Sequence, residues 1–258
     1  MAIKLKDKTV FITGASSGIG QACAEIFAAK GCRLLLTARR GERLEALALK
    51  LREKYGTPCL VAELDVQKKK AIESLVQSIP DAYAEIDILI NNAGLALGKS
   101  PLHENNSKHW ESMIQTNVMG LLYMTHALLP KMLDRQRGHI INIGSVAGRH
   151  AYAGGTVYCA SKHAVRAISQ GLKHDLLGTP IRVTCIEPGM VETEFSTVRF
   201  EGDHEKAQNV YANTTPLTAQ DIAETVLFVA SRPLHVNIND MLVLATDQSD
   251  ATTIFRHV

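Results

Sequence analysis

The chain has 258 residues, 46% of them hydrophobic, with 28 Lys and Arg against 26 Asp and Glu for a formal net charge of +2. That length and apolar content suffice for one large α/β domain with a full core. The near-neutral balance, with no basic run beyond the short Lys68-Lys69-Lys70, argues against nucleic acid as a partner. The charged start, Met1 to Lys8, holds no apolar signal core, and no later stretch is apolar enough to span a bilayer, so a soluble cytoplasmic protein with no membrane partner is expected.

In chain order, Val10–Thr13 is a short apolar run that enters Gly14-Ala15-Ser16-Ser17-Gly18-Ile19-Gly20 before a helix-forming segment. Glycines let the backbone come close to a ligand, and the free N–H groups at a helix start attract phosphate oxygens. The G-x-x-x-G-x-G spacing differs from the common G-x-G-x-x-G fingerprint but works by the same mechanism. Further strand-like runs at Arg33–Thr37, Cys59–Leu64, Ile86–Ile90, His139–Ile143, Arg182–Ile186 and Met241–Ala245 alternate with amphipathic segments. This pattern predicts a doubly wound parallel sheet with helices on both faces, a three-layer, Rossmann-like single domain over 1–258. Leu44, Leu47 and Leu51 make a packing stripe over a helix at 42–55. A long helical pattern over 109–133 meets Pro130, which should kink or end it.

In open α/β sheets ligands bind at the carboxyl ends of the strands, where the topology switches direction. The chemistry-bearing residues of this chain fall there: Gly14–Gly20 after the first strand, Arg39 after the second, Asp65 after the third, Asn91-Asn92-Ala93-Gly94 after the fourth, Ser145 after the fifth and Pro188-Gly189 after the sixth. The second strand runs into Ala38-Arg39-Arg40 with no acid to take a ribose 2′-hydroxyl. Guanidinium forks suit a 2′-phosphate instead, so the expected cofactor is NADP(H), with Arg39 as the principal contact and Ser16 and Arg40 as helpers. Asp65 and Val66 are placed to hold the adenine edge, and Asn92 and Gly94 to let the ribose approach the fourth strand.

Tyr158 and Lys162, four apart, share one helix face and can act on one bound molecule. A phenol titrates near about 10 and trades protons poorly at neutral pH; a neighbouring ammonium, helped by a cationic nicotinamide, would have to lower it by roughly 3 units, about 4 kcal/mol. Asn117 is a polar residue in an apolar helical pattern, which fits a packing amide as well as a functional one. Cys23, Cys32, Cys59, Cys159 and Cys185 are odd in number and scattered, with no metal-ligand spacing among them or the ten histidines, so reduced thiols and no metal site are expected.

Together TGASSGIG, NNAG, Asn117, Ser145, Tyr158, Lys162 and PG followed by Val191-Glu192-Thr193 resemble the short-chain dehydrogenase/reductase superfamily, along essentially the whole chain. The resemblance implies Tyr158 as acid/base, Lys162 lowering its pKa and binding the nicotinamide ribose, Ser145 polarising the substrate oxygen, and Asn117 holding a water in a proton relay through Lys162. It places Gly14, Ser16, Ser17, Gly18, Ile19, Gly20, Pro188, Gly189, Val191 and Thr193 around the cofactor, the last two at the carboxamide.

NNAGLALG, GHIINIGSVAGR, the stretch Glu192 to Arg199, Thr214 to Leu217 and the tail 246–258 are similar to the NADP-dependent 3-hydroxy acid dehydrogenases. Those enzymes act on serine, allo-threonine and simple 3-hydroxy acids, reduce malonic semialdehyde in reverse, and are usually homotetramers. An acid substrate needs a facing cation: Arg199, in the segment about 190–215 that covers the substrate in this fold, is the first choice and Arg149 the second, with Gln248 and Tyr152 adding hydrogen bonds. A sulfoacetaldehyde reductase would use the same arginine, a broader carbonyl reductase would leave it idle, and a non-catalytic NADP sensor would need no proton relay.

Overall fold

The computed structural model describes residues 3–258; Met1 and Ala2, where the expected domain begins, lie outside them. The first half runs β1 (Thr9–Thr13), α1 (Gly18–Ala29), β2 (Arg33–Ala38), α2 (Gly41–Tyr55), β3 (Cys59–Glu63), α3 (Lys69–Ser78), α4 (Asp81–Ala84) and β4 (Ile86–Asn91). It continues through α5 (Ser107–Ile114), α6 (Leu121–Asp134), β5 (Gly138–Ile143), α7 (Thr156–Asp175) and β6 (Ile181–Pro188). After β7 (Val191–Glu192) come α8 (Phe195–Arg199), α9 (His204–Asn209), β8 (Leu217–Thr218), α10 (Ala219–Ala230) and β9 (Asp240–Val243). The seven long strands fall on the seven predicted runs.

They form one parallel sheet in the order β3-β2-β1-β4-β5-β6-β9. β1, β4 and β6 are buried at every position, as strands covered on both faces must be, and in β6 that burial includes Arg182, Thr184 and Glu187. Side chains alternate between the two cores: Val10, Ile12, Leu34 and Leu36 pack against α1, α2 and α10, while Phe11, Leu35 and Leu89 pack against α3 and α6. The direction of chain winding reverses between β1 and β4, and that reversal opens a crevice at the carboxyl edge.

The long helix departs from expectation. It does not end at Pro130, which sits inside α6. Pro130 and His126, whose carbonyl loses its helical donor there, are both exposed, so water can serve the freed oxygen. The interruption falls earlier, at Gln115–Gly120, a π-helical turn between α5 and α6. At its end Gly120 lies so close to Val66 that a Cβ would stand 2.7 Å from the valine methyl.

β7 and β8 pair in a second small sheet and close the chain between them into a loop that carries α8 and α9. The tail fastens that loop from outside: the His257 N–H donates to the Asn213 carbonyl at 2.7 Å and Arg256 donates to the carbonyls of Ala212 and Val210.

Candidate active site

A cleft of about 320 Å³ lies at the β1/β4 switch. Gly14, Ser16, Ser17, Gly18 and Ile19 line its floor, followed by Arg39, Arg40, Asp65, Val66, Asn92 and Gly94; Ser145, Tyr158, Lys162, Pro188, Gly189, Val191 and Thr193 line the far end. The glycine turn is built by backbone contact. Gly14 and Gly18 have φ of +67° and +53°, the left-handed region glycine favours. Gly20 does not line the cleft; a Cβ there would meet the Gly14 carbonyl oxygen at 2.4 Å, so it lets α1 press onto the turn. Asn92 donates to the Thr13 and Gly14 carbonyls at 3.0 and 3.1 Å and ties the end of β4 to that turn. Ser17 leads into α1 without a side-chain cap, which leaves the helix N–H groups free for phosphate. Arg39 is exposed and makes no side-chain hydrogen bond or ion pair among the described residues. An uncapped helix start, a close glycine cradle and an unengaged arginine fit a dinucleotide carrying a 2′-phosphate.

At the far end the π-helical turn aims Asn117 into the protein. Its amide nitrogen donates to the Leu95 carbonyl at 2.8 Å and to Ser161 Oγ at 3.0 Å, while its Oδ1 accepts from the Leu95 N–H at 2.8 Å. Asn117 therefore clamps the chain after Gly94, and every group of its side chain is engaged. Lys162 is buried and donates to the Ile143 carbonyl at 2.8 Å. Gly94 sits beside both groups: a Cβ there would stand 3.3 Å from Asn117 Oδ1, a tight contact, and 3.6 Å from the lysine Nζ, an ordinary one. Burial pushes the Lys162 amine down to about 8. Ser145 lies two residues beyond β5 and accepts from the Ala147 N–H at 3.1 Å, which leaves its own proton to donate.

Tyr158 packs against Phe195, ring centroids 5.7 Å apart. Its phenol is pushed well above the ordinary value, chiefly by burial and then by Tyr152, against the Ser145 hydroxyl and Arg199, which lower it. The expected lowering by Lys162 is not found among the protein groups. The ammonium lies 5.9 Å from the ring centroid, and desolvation of the buried phenol outweighs a cation at that range.

The two arginine candidates separate cleanly. Arg199 stacks toward Tyr158 and Tyr152, its guanidinium 5.7 and 5.5 Å from their ring centroids, and it donates to Tyr152 Oη at 3.0 Å and the Gly98 carbonyl at 3.2 Å. Its Nη2 is buried with no partner among the described residues. Arg149 instead donates to Glu187 Oε2 from Nε at 2.7 Å, with further contacts to Glu187 and Asp240, so it serves as counter-ion to a carboxylate that is 0% exposed. Gln248 is likewise occupied: its Oε1 accepts from the Met190 N–H at 2.8 Å and its amide nitrogen donates to the Asp250 carbonyl at 2.9 Å. Thr116, Glu194, Phe195 and Val198 also line the cleft; the last three belong to the stretch Glu192 to Arg199, but no residue of the four carries a sequence signal for a site role of its own. All five cysteines are buried and unpaired, and among the described residues no group of His, Cys, Asp or Glu is arranged to hold a metal.

A doubly wound parallel sheet, a glycine-built phosphate cradle at its switch point and a Tyr–Lys pair beside a serine hydroxyl define a dinucleotide-dependent oxidoreductase. The chain matches the short chain dehydrogenase family over residues 8–204 and belongs to it. An NADP-dependent 3-hydroxy acid dehydrogenase of Salmonella typhi is 51% identical over 243 residues, 94% of this chain and 96% of its own. A serine 3-dehydrogenase of Agrobacterium fabrum is 45% identical over the same shares of each chain. Among solved structures, the closed form of a serine dehydrogenase complexed with NADP+ superposes with a TM-score of 0.90 at 48% identity, covering 94% of this chain and 97% of that one.

Proposed function

We propose that this NADP-dependent oxidoreductase moves a hydride between NADP(H) and the carbinol carbon of small 3-hydroxy acids: L-serine, L-allo-threonine and 3-hydroxypropionate, with malonic semialdehyde reduced in reverse. Arg199 carries the reading. Its buried Nη2 has no protein acceptor and its guanidinium stands beside the Tyr158 ring. A substrate carboxylate would supply that acceptor while the hydroxyl reached the phenol.

Bound NADP(H) supplies the hydride chemistry. Arg39, the glycine turn, Asp65, Val66, Asn92 and Gly94 hold its adenosine half; Pro188, Gly189, Val191 and Thr193 hold the nicotinamide half. In oxidation Tyr158 takes the hydroxyl proton, Ser145 holds the substrate oxygen by donating its free proton, and Lys162 passes the proton onward. Because the Asn117 side chain is fully engaged, a relay water would use a main-chain carbonyl of the π-helical turn. Tyr152 orients Arg199. Gln248 shapes the turn at Met190 and does not bind substrate. The reading includes a cytoplasmic homotetramer; Phe228 on α10 and Leu242 on the edge strand β9, 45% and 38% exposed, support an assembly that covers them.

The test is reduction of NADP+ and of NAD+ with each of L-serine, L-allo-threonine, 3-hydroxypropionate and isethionate. Turnover of the hydroxy acids with NADP+ is expected; turnover of isethionate alone would move the enzyme to sulfonates, and silence with all four would refute the acid class. Arg199→Ala should raise KM for the acids by about 30-fold or more, as the loss of a desolvated charge contact does. An equal rise for an uncharged alcohol of similar size would remove its role as anchor.

A further inference from the structure

Arg40 and Arg43 stand one helical turn apart at the start of α2, and both donate to one carboxylate. Arg40 Nη1 reaches Glu194 Oε2 at 2.8 Å and Arg43 Nη1 reaches Glu194 Oε1 at 2.7 Å. Arg40 is pinned over the glycine turn as well, donating to Ser17 Oγ at 2.7 Å and Ser16 Oγ at 3.1 Å. Glu194 arrives from the opposite wall of the cleft. Its neighbour Thr193 lies against Gly18, where a Cβ would stand 3.3 Å from the threonine side chain. Of the three arginines at this end, Arg39 is unengaged, while the other two are neutralised by an acid from the segment that leads into α8.

We propose that Glu194 is the protein's own stand-in for the cofactor 2′-phosphate: it holds Arg40 and Arg43 in the free protein, yields Arg40 when NADP(H) binds, and thereby moderates the preference for NADP(H) over NAD(H). This rests on the reading of Arg39 and Arg40 as the phosphate contacts. A phosphate brought to them must share the Arg40 fork with a carboxylate already bonded to it, and like charges that close repel. An adenosine ribose without the phosphate leaves the pair intact. Glu194 therefore opposes NADP(H) and is indifferent to NAD(H). The side chains of Arg40 and Glu194 are 42% and 44% exposed, so the effect is of surface ion-pair size, about two- to fivefold in affinity.

The experiment is calorimetric titration of NADPH and of NADH into the intact protein and into Glu194→Gln, at low and at high salt. The expected result is an NADPH Kd about two- to fivefold lower in the variant, an unchanged NADH Kd, and a smaller gain in high salt. An NADPH Kd that is unchanged or higher in the variant, or an equal gain for NADH, would overturn the assignment of Glu194. A wild-type protein that binds NADPH no more tightly than NADH would overturn the phosphate reading of Arg39 and Arg40 itself. Glu194 is exposed, and thermal unfolding of the variant at the wild-type temperature would show that the fold is kept.

Discussion

Burial raises the Tyr158 phenol and lowers the Lys162 amine to about 8, so the surrounding protein shifts each of the two groups proposed to handle the proton toward its neutral form, with the amine still charged near pH 7. Among the protein's cations Arg199 is the one that lowers the phenol, and a bound oxidised nicotinamide would add positive charge beside it. Tyr158→Phe should lower kcat by about 10²–10⁴ while NADPH binding persists; a variant that turns over at the wild-type rate would make Tyr158 a packing residue. Lys162 gives a stability prediction. Its folded value lies below the 10.5 of the free amine, so the unfolded chain binds the proton more tightly across that interval. Unfolding takes up a proton there, and stability rises with pH from about 8 to 10.5. The unfolding free energy of the wild type relative to Lys162→Met should climb by about 3 kcal/mol across this window. A flat difference in denaturant titrations would show that the amine is not desolvated.

Among the elements, the glycine turn is held by contacts that leave no room for a methyl group. In Gly20→Ala the new Cβ would strike the Gly14 carbonyl and stand 2.5 Å from Asn92 Nδ2, breaking the tie between β4 and the turn. NADPH affinity should fall about tenfold or more, the size of an overpacking penalty. Gly171→Ala, on α7 with nothing within 4 Å of the new Cβ, should be neutral or stabilise by up to about 1 kcal/mol. Equal NADPH binding by the two variants would show that close packing of the turn is unimportant. The turn, the seven strands and the Tyr–Lys pair were legible in the sequence because each depends on local spacing. The break in the long helix was not. Proline at 130 was the visible signal, yet its solvent-facing position made it harmless, while the π-helical turn is set by what Asn117 and Gly120 touch across the fold.

In the whole molecule the residues hardest to place were those paired across long stretches of chain. Arg149 and Arg199 are both arginines near the site in sequence, and only the meeting of β6 with β9 shows that Arg149 is occupied by Glu187 and Asp240. Arg43 carried a usable hint, its spacing of three from Arg40 on one helix face. Glu194 carried none, because the partner it meets lies in a different half of the sheet. The strand order has one more consequence. Every strand pair is parallel, so none closes by a hairpin, and among β1's neighbours the pairing of Thr9 with Ile86 spans far more chain than that with Arg33. Long-range pairings of this kind form slowly. The seam between β1 and β4 is also where the cleft opens, so during refolding the ability to bind NADPH cannot precede the joining of the two halves, and the cofactor marks a stage at which that seam has closed.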